Sequence, residues 1–336
     1  MKMAQDAAAR AERRGPTLHS YALGWLDRYA GSGRDSLRDG TRREYRRLLT
    51  TFALRYFDQD PRLRDLDPPA IQQFVDWLTN QPGRSGRLSD RSIGNALTPL
   101  RLALDAAVAE GLLERNPAQA VVLPRRRRGR AWELKERRFL TREQLASLLA
   151  QVPAKWGPLF ELLAATGLRI SEAIGLRWSD LELDSRRPHL RVTRAIVRDV
   201  AVAPKSRNGV RVVPLPSQLA NELRSRRPPE VRDDAPVFPG RNGRPANPGS
   251  LRRRVLAPAA RRAGLAGVGF HTFRHTCAAL LIESGASPLR LQRWMGHHSA
   301  AYTLDAYGHL IDGELGPALD LTAELAPPRS PVPDKA

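Results

Sequence analysis

The sequence predicts a mainly α-helical protein with a small antiparallel β-sheet, divided into two domains. Its length of 336 residues suits roughly two domains of about 150 residues each. Apolar residues recur at three- and four-residue spacing through most of the chain, which is typical of amphipathic helices. The spacing falls to two, as in a β-strand, only between residues 189 and 215.

The N-terminal part is predicted to be an all-helical domain over residues 17–115, preceded by a flexible basic leader at 1–16. Four amphipathic stretches support it, and no strand pattern interrupts them. They run from residue 17 through Leu26 and over about 41–57, 69–79 and 89–113.

Residues 116–137 are predicted to be a linker because they contain prolines and lose the helical periodicity. The linker carries the basic residues Arg125, Arg126, Arg127, Arg128 and Arg130. This charge run is either a solvated surface or a strap that lies along the phosphates of a nucleic acid.

The second domain is expected over residues 138–326, with a disordered proline-rich tail at 327–336. A capping box from Thr141 to Gln144 opens its first helix. Further helices are expected at 156–165 and 170–178, and strands at 189–197, 200–203 and 210–215. Asn208-Gly209 lies between the last two strands and favours a hairpin turn there.

Composition points to an anionic partner. The 55 Lys and Arg against 35 Asp and Glu give a formal net charge of +20, which suits nucleic acid, although a membrane surface or an arginine-rich genome would also account for it. Cys277 is the single cysteine, so no internal disulfide is possible. With no apolar run near ~18 residues and no signal-peptide core, a cytoplasmic protein without a membrane partner is expected.

Five residues carry the candidate chemistry. They are Arg169, His271, Arg274, His297 and Tyr307. Two fixed cations, two imidazoles and a phenol suit the covalent transfer of a phosphodiester, whereas holding DNA alone needs neither phenol nor imidazole. Taken singly, each has an ordinary alternative: a surface arginine, a solvated helix face, or a buried tyrosine with a bonded hydroxyl.

Local patterns place these residues. Arg169 follows a helix break at Gly167 and is expected in the first turn of the next helix, where a cation is unfavourable unless an anion binds there too. A helix over about 272–284 puts Phe273 and Cys277 on its core face. His271, Arg274 and His275 cluster on the opposite face.

In their order and context, these segments resemble the tyrosine recombinase, or phage integrase, family. The resemblance rests on ATGLRISEAIGLRWSDL, APKSRNGVRVVPL, HTFRHTCAALLIESGAS, LQRWMGHHS and TLDAYGHL, across about 139–310. It implies a helical, SAM-like core-binding domain followed by a tyrosine-recombinase catalytic domain. The two domains would close around double-stranded DNA.

The resemblance also implies roles. Tyr307 would be the nucleophile of a 3′-phosphotyrosyl bond, and Arg169 and Arg274 would clamp the phosphate. Lys205 would protonate the 5′-oxygen, His271 would assist proton transfer, and His297 would complete the pocket. Glu172 and His275 would support the catalytic residues without taking part in the reaction themselves. The resemblance implies no requirement for ATP, a cofactor or a metal. It implies that the protein acts as a homotetramer in a synaptic complex, with accessory DNA-bending or directionality proteins as partners.

Some assignments have competitors. Arg207 is closer to the expected turn than Lys205, His298 has the nine-residue spacing to Tyr307 that many relatives use, and Tyr302 is the other nearby phenol. Two other functions share features with this one: a type IB topoisomerase, and a DNA-binding accessory protein without catalysis. The sequence does not specify the DNA site, nor whether the reaction is integration, excision, dimer resolution or transposition.

Overall fold

The computed structural model describes residues 15–29, 39–83, 86–123, 139–204, 207–265, 267–297 and 299. The chain forms two compact units, Met1–Arg130 and Ala131–Ala336. Described helices dominate both units, and the described strands are antiparallel. The predicted fold class is therefore confirmed.

The described part of the first unit has four amphipathic helices around one apolar core that includes Trp25, Phe74 and Leu100. The helices are α1 (Leu18–Arg28), α2 (Asp39–Leu48, continued by a π-helical turn Leu49–Ala53 and by Leu54–Tyr56), α3 (Pro68–Asn80) and α4 (Asp90–Ala109). Side chains of Asp67 and Ser89 cap α3 and α4. A short pair, β1 (Pro82–Gly83) and β2 (Gly86–Arg87), joins these two helices, although no strand was predicted there.

The start of the predicted linker packs on the first unit. Ala118 and Val121 are buried in its core. Asn116 is 5% exposed, donates to the Arg101 carbonyl at 2.9 Å and accepts the Ala118 N–H at 2.8 Å. Residues 116–123 thus extend the helical unit, because this side chain satisfies the polar groups of a buried turn.

The second unit has its own core, in which Phe160 and Phe273 are fully buried. Its described helices are α5 (Arg142–Ala150), α6 (Gly157–Thr166), α7 (Ile170–Ala173), α8 (Ser217–Ser225), α9 (Pro248–Leu251, continued by a π-helical turn Arg252–Leu256 and by Ala257–Arg262), α10 (Phe270–Glu283) and α11 (Pro288–Met295). The capping box predicted at Thr141 and Gln144 is present at the start of α5. The helix expected to reach residue 178 ends at Ala173, and a 3₁₀ turn Trp178–Asp180 follows.

The strands pair differently from the sequence-based expectation. They are β3 (Leu181–Glu182), β4 (His189–Val192), β5 (Ala195–Val197), β6 (Val200–Val202) and β7 (Arg211–Pro214). The hairpin predicted around Asn208-Gly209 is wrong: β6 pairs with β5 and β7 pairs with β4. The β5–β6 turn uses Arg198 and Asp199, both with positive φ, while Asn208 lies in a 3₁₀ turn.

Candidate active site

Arg169 is held at the N-terminus of α7, one position before the predicted first turn. Gly167, with a φ of 62°, ends α6 and lets the chain reverse into α7. The backbone N–H of Arg169 donates to Glu172 Oε2 at 2.9 Å, and its Nη1 donates to Glu172 Oε1 at 2.9 Å. The guanidinium is thereby fixed at one edge, while 41% of the side chain stays exposed.

Glu172 is almost fully buried and also binds a second arginine, Arg211 of β7. Arg211 Nη2 lies 2.9 Å from Glu172 Oε2, and Arg211 Nη1 lies 3.4 Å from Glu172 Oε1. Burial raises the pKa of Glu172, but the charge and hydrogen bonds of Arg211, together with Arg169, hold it below its ordinary value. The carboxylate is therefore ionised and orients two guanidinium groups.

Arg274 lies on α10 and is 5% exposed. Its Nη1 donates to the Gly167 carbonyl at 2.7 Å and its Nη2 donates to the Met295 carbonyl at 2.5 Å. These two bonds place Arg274 between the end of α6 and the end of α11. We call Arg169, Glu172, Arg211 and Arg274 the arginine cluster. With three guanidinium groups and one carboxylate, it carries an excess of positive charge.

His271 lies close enough to the arginine cluster to be affected by its positive charge. It lies in the first turn of α10 and keeps one side exposed to solvent. Partial burial lowers the pKa of His271 below its ordinary value of 6.5, and the charges of Arg274 and Arg169 lower it further. The imidazole is therefore neutral near pH 7 and able to accept a proton.

His297 follows α11 and is 4% exposed. Gly296 ends the helix with a φ of 66°, and the His297 N–H donates to the Gln292 carbonyl at 3.1 Å. The His297 carbonyl accepts from Asn208 Nδ2 at 3.0 Å. Asn208 thus connects the loop after β6 with the chain that carries His297.

Gly296 is required by conformation and by space together. A Cβ at Gly296 would lie 2.8 Å from the Asn208 carbonyl oxygen and 2.9 Å from Arg211 Nη1. We expect Gly296→Ala to lower the free energy of unfolding by about 1–2 kcal/mol through its left-handed backbone, with about 1–3 kcal/mol more from overlap. Urea denaturation measures the difference.

Gly285 provides the matched control, because it follows α10 with a φ of 80° and has no atom within 4 Å of an added Cβ. We expect Gly285→Ala to lose only the backbone contribution. Equal losses in the two variants would show that the approach of Gly296 to Arg211 is not tight.

The structure thus brings together Arg169, Glu172, His271, Arg274 and His297, and His275 lies half-buried on the same helix as Arg274. The remaining candidates lie outside the described residues. They are Lys205, Tyr307, Arg125, Arg126, Arg127, Arg128 and Arg130, with the competitors His298 and Tyr302 and the side chain of Arg207.

The sequence-based interpretation missed Arg211 and Trp294. Arg211 Nε donates to the Trp294 carbonyl at 2.9 Å, and the Trp294 indole N–H donates to the Thr166 carbonyl at 3.0 Å. The signal for Arg211 was its register: Val213 and Leu215 follow at two-residue spacing on the buried face of the strand. An arginine at such a core-facing position needs a buried carboxylate partner.

Cys277 is buried on α10, as the helical pattern predicts, and burial raises the pKa of its thiol to about 12. No group of three or more His, Cys, Asp or Glu that could hold a metal ion occurs among the described residues. Within the same part of the chain, no helix has the length and apolar character needed to cross a membrane.

Comparison with known proteins matches each of the two units to a protein-family model. The model of the phage integrase family matches residues 138–314, and the model of the phage integrase SAM-like domain matches residues 22–122. The chain is 27% identical over 328 residues to the prophage phiRv2 integrase of Mycobacterium tuberculosis, covering 95% of this chain and 81% of that protein. It is 30% identical over 252 residues to the tyrosine recombinase XerC of Xylella fastidiosa, covering 73% and 77%.

Solved structures share the fold. The Tn1549 transposon integrase, in complex with a circular intermediate DNA, superposes with a TM-score of 0.67 at 21% identity, covering 87% of this chain and 95% of that one. A lambda integrase dimer bound to a COC' core site gives a TM-score of 0.63 at 18% identity, covering 90% and 81%.

The fold and these matches define the class as a tyrosine recombinase, with a SAM-like domain followed by a catalytic domain. The chain belongs to the phage integrase family, and its class makes it a site-specific DNA recombinase.

Proposed function

We propose that this recombinase cuts and rejoins double-stranded DNA through a 3′-phosphotyrosyl intermediate on Tyr307. The observation that carries the proposal is the arginine cluster, in which buried hydrogen bonds fix Arg169 and Arg274 near a neutral His271. Fixed cations beside a proton acceptor are what the transfer of a phosphodiester to a phenol requires.

The charges of the cluster match the transition state. The Tyr307 oxygen forms a bond to phosphorus while the bond from phosphorus to the 5′-oxygen breaks. Negative charge grows on the two nonbridging oxygens, which the forked guanidinium groups of Arg169 and Arg274 bind. A preorganised donor of this kind contributes on the order of 10²–10³-fold in rate.

Two proton transfers balance the step. The phenol of Tyr307, with an ordinary pKa near ~10, gives its proton to His271 as the new bond forms. The ammonium of Lys205 gives a proton to the leaving 5′-oxygen, which becomes a hydroxyl group. His297 completes the pocket, with Glu172 and His275 behind the reacting groups. The phosphotyrosyl bond keeps the energy of the broken bond, so rejoining needs no ATP, and arginines supply the charge that a metal would supply.

The net charge of +20 supports double-stranded DNA as the partner. DNA complexes of structural neighbours, such as the Tn1549 integrase, support the same partner. Arg125, Arg126, Arg127, Arg128 and Arg130 would bind phosphates of the DNA backbone. The recombining complex would be a homotetramer on two DNA sites, assisted by accessory DNA-bending or directionality proteins.

Covalent trapping tests the proposed function. The protein is mixed with sheared genomic DNA of its source, DNA bound to it after denaturation is sequenced, and the recovered site is rebuilt as a nicked duplex. We expect a covalent complex in EDTA without ATP, joined to the 3′ side of the break. A protein that binds the genomic DNA but leaves none attached after denaturation would be an accessory protein, and relaxation of plasmids without any preferred site would indicate a topoisomerase.

The lowered pKa of His271 predicts the pH dependence of cleavage. As the pH falls through that pKa, the imidazole gains a proton and no longer acts as a base. We expect the single-turnover rate to stay level down to about pH 6.5 and to fall below it. The rate is measured from pH 5 to 9 on the nicked duplex.

In His271→Gln, we expect the cleavage rate no longer to fall at low pH. In His189→Gln, a substitution in strand β4 of the same unit, we expect the rate to fall as in the wild type. If the cleavage rate of His271→Gln still falls at low pH as in the wild type, the titrating group is another residue.

A further inference from the structure

The segment that carries Lys205 is anchored at both ends. Residues 195–210 contain β5, β6 and the loop before β7, and arginines stand directly outside this segment at positions 194 and 211. Each arginine binds a buried carboxylate: Arg194 pairs with Asp180, and Arg211 pairs with Glu172. Both carboxylates belong to the stretch 169–180, which begins with Arg169.

At the second end, Arg211 acts directly on the base of the Lys205 loop. Pro204 and Gly209 are in contact, since a Cβ at Gly209 would lie 2.3 Å from Pro204 Cβ. Arg211 Nη1 donates to the Gly209 carbonyl at 3.1 Å. The same guanidinium binds Glu172 and the Trp294 carbonyl, and its side chain is only 6% exposed.

At the first end, Arg194 joins β5 to the turn after α7. Arg194 Nη1 donates to Asp180 Oδ2 and, at 3.4 Å, to the Gly175 carbonyl. Gly175 lies against the strand itself, because a Cβ there would be 3.5 Å from Ala195 Cα. The side chain of Arg194 is 23% exposed, so this anchor is less deeply buried than Arg211.

We propose that Arg211, assisted by Arg194, is a positioning residue that fixes the Lys205 loop relative to the phosphate-binding Arg169. Neither arginine has to touch the DNA in this role. Glu172 is the shared element, because the carboxylate that orients Arg169 also receives Arg211. The inference rests on the proposed role of Lys205 as the proton donor to the 5′-oxygen.

A sulfur leaving group separates positioning from general stability. In a duplex whose scissile phosphate carries 5′-sulfur, the leaving thiolate has a conjugate-acid pKa of about 8.5, far below the value of about 15.7 for water, and leaves without a proton donor. The quantity measured is the ratio of single-turnover cleavage rates on the 5′-sulfur and 5′-oxygen duplexes. We expect Lys205→Ala to slow oxygen cleavage by about 10²-fold or more and to cleave the sulfur duplex at nearly the wild-type rate.

We expect Arg211→Met to resemble Lys205→Ala with a smaller effect. Cleavage of the 5′-oxygen duplex should slow about 10-fold or more, and cleavage of the 5′-sulfur duplex should be close to the wild-type rate. Arg211→Lys keeps a cation beside Glu172, and Arg194→Lys changes the less buried anchor, so these variants serve if Arg211→Met does not fold. Both should raise the sulfur-to-oxygen ratio. Arg191→Met, an exposed position on the neighbouring strand β4, is the control and should leave the ratio unchanged.

The outcomes distinguish the two levels of the proposal. If sulfur restores cleavage by Lys205→Ala but the folded Arg211 and Arg194 variants are equally slow on both duplexes, the arginines act only on general structure and the inference is overturned. If sulfur fails to restore Lys205→Ala, the role of Lys205 as proton donor is wrong and the inference falls with it. If sulfur restores cleavage by Lys205→Ala and also by the Arg211 and Arg194 variants, the positioning role is supported.

Discussion

The Tyr307→Phe protein is expected to bind its DNA site with wild-type affinity and to form no covalent complex. The substitution removes one oxygen atom, and that oxygen is the proposed nucleophile. Hydrogen bonds and ion pairs to described residues hold Arg169 and Arg274 in the arginine cluster, so we expect the phosphate still to bind. The measurement is covalent trapping on the nicked duplex, beside a binding titration of the same protein.

Tyr302→Phe is the matched control, because it removes the same atom five positions earlier in the chain. We expect trapping by this variant to remain at the wild-type level. Loss of trapping in Tyr302→Phe, with trapping retained in Tyr307→Phe, would move the nucleophile to Tyr302.

Arg274→Lys is expected to lower the rate of cleavage by about 10²–10³-fold although it keeps the positive charge. The guanidinium of Arg274 donates to the carbonyl groups of Gly167 and Met295 from two different nitrogens. A lysine ammonium has one nitrogen and no planar fork, so it does not reproduce both bonds while binding phosphate oxygens. Single-turnover cleavage at saturating protein measures the effect.

The same substitution should also reduce stability, since a buried carbonyl that loses its donor costs about 1–3 kcal/mol. Arg142→Lys is the control: Arg142 contacts Glu283 at the far end of α10, and its side chain is 68% exposed. We expect no change in rate or stability for Arg142→Lys. An Arg274→Lys protein that cleaves DNA at the wild-type rate would contradict the assignment of a bidentate phosphate clamp.

The helical architecture was predictable because periodic apolar residues and capping side chains act locally. Helices α3 and α10 fall within two residues of their predicted bounds. The hairpin was mispredicted because Asn208-Gly209 is a strong local turn signal, whereas the pairing of β7 with β4 depends on distant contacts. Arg198 and Asp199 carry positive φ values without a glycine, so their sequence gives only a weak signal, the aspartate, for the turn that they form.

For the site, sequence order selected Arg169, Arg274 and Glu172 as candidates, and the structure brings these three residues together. It did not indicate that Glu172 binds two arginines, because the second partner is 39 residues away on a strand. The core-facing register of Arg211 carries the information, but a strand alone does not reveal which carboxylate it meets. The buried carbonyl groups that hold Arg274 are likewise invisible in the sequence, since every residue has one.

Mass spectrometry of the trapped complex tests directly whether this recombinase acts through a 3′-phosphotyrosyl bond on Tyr307, as we propose. The DNA is digested to a short remnant, the protein is cleaved into peptides, and fragmentation separates Tyr302 from Tyr307. We expect a nucleotide joined through its 3′-phosphate to Tyr307. A remnant on any other residue, or a link through a 5′-phosphate, would contradict it.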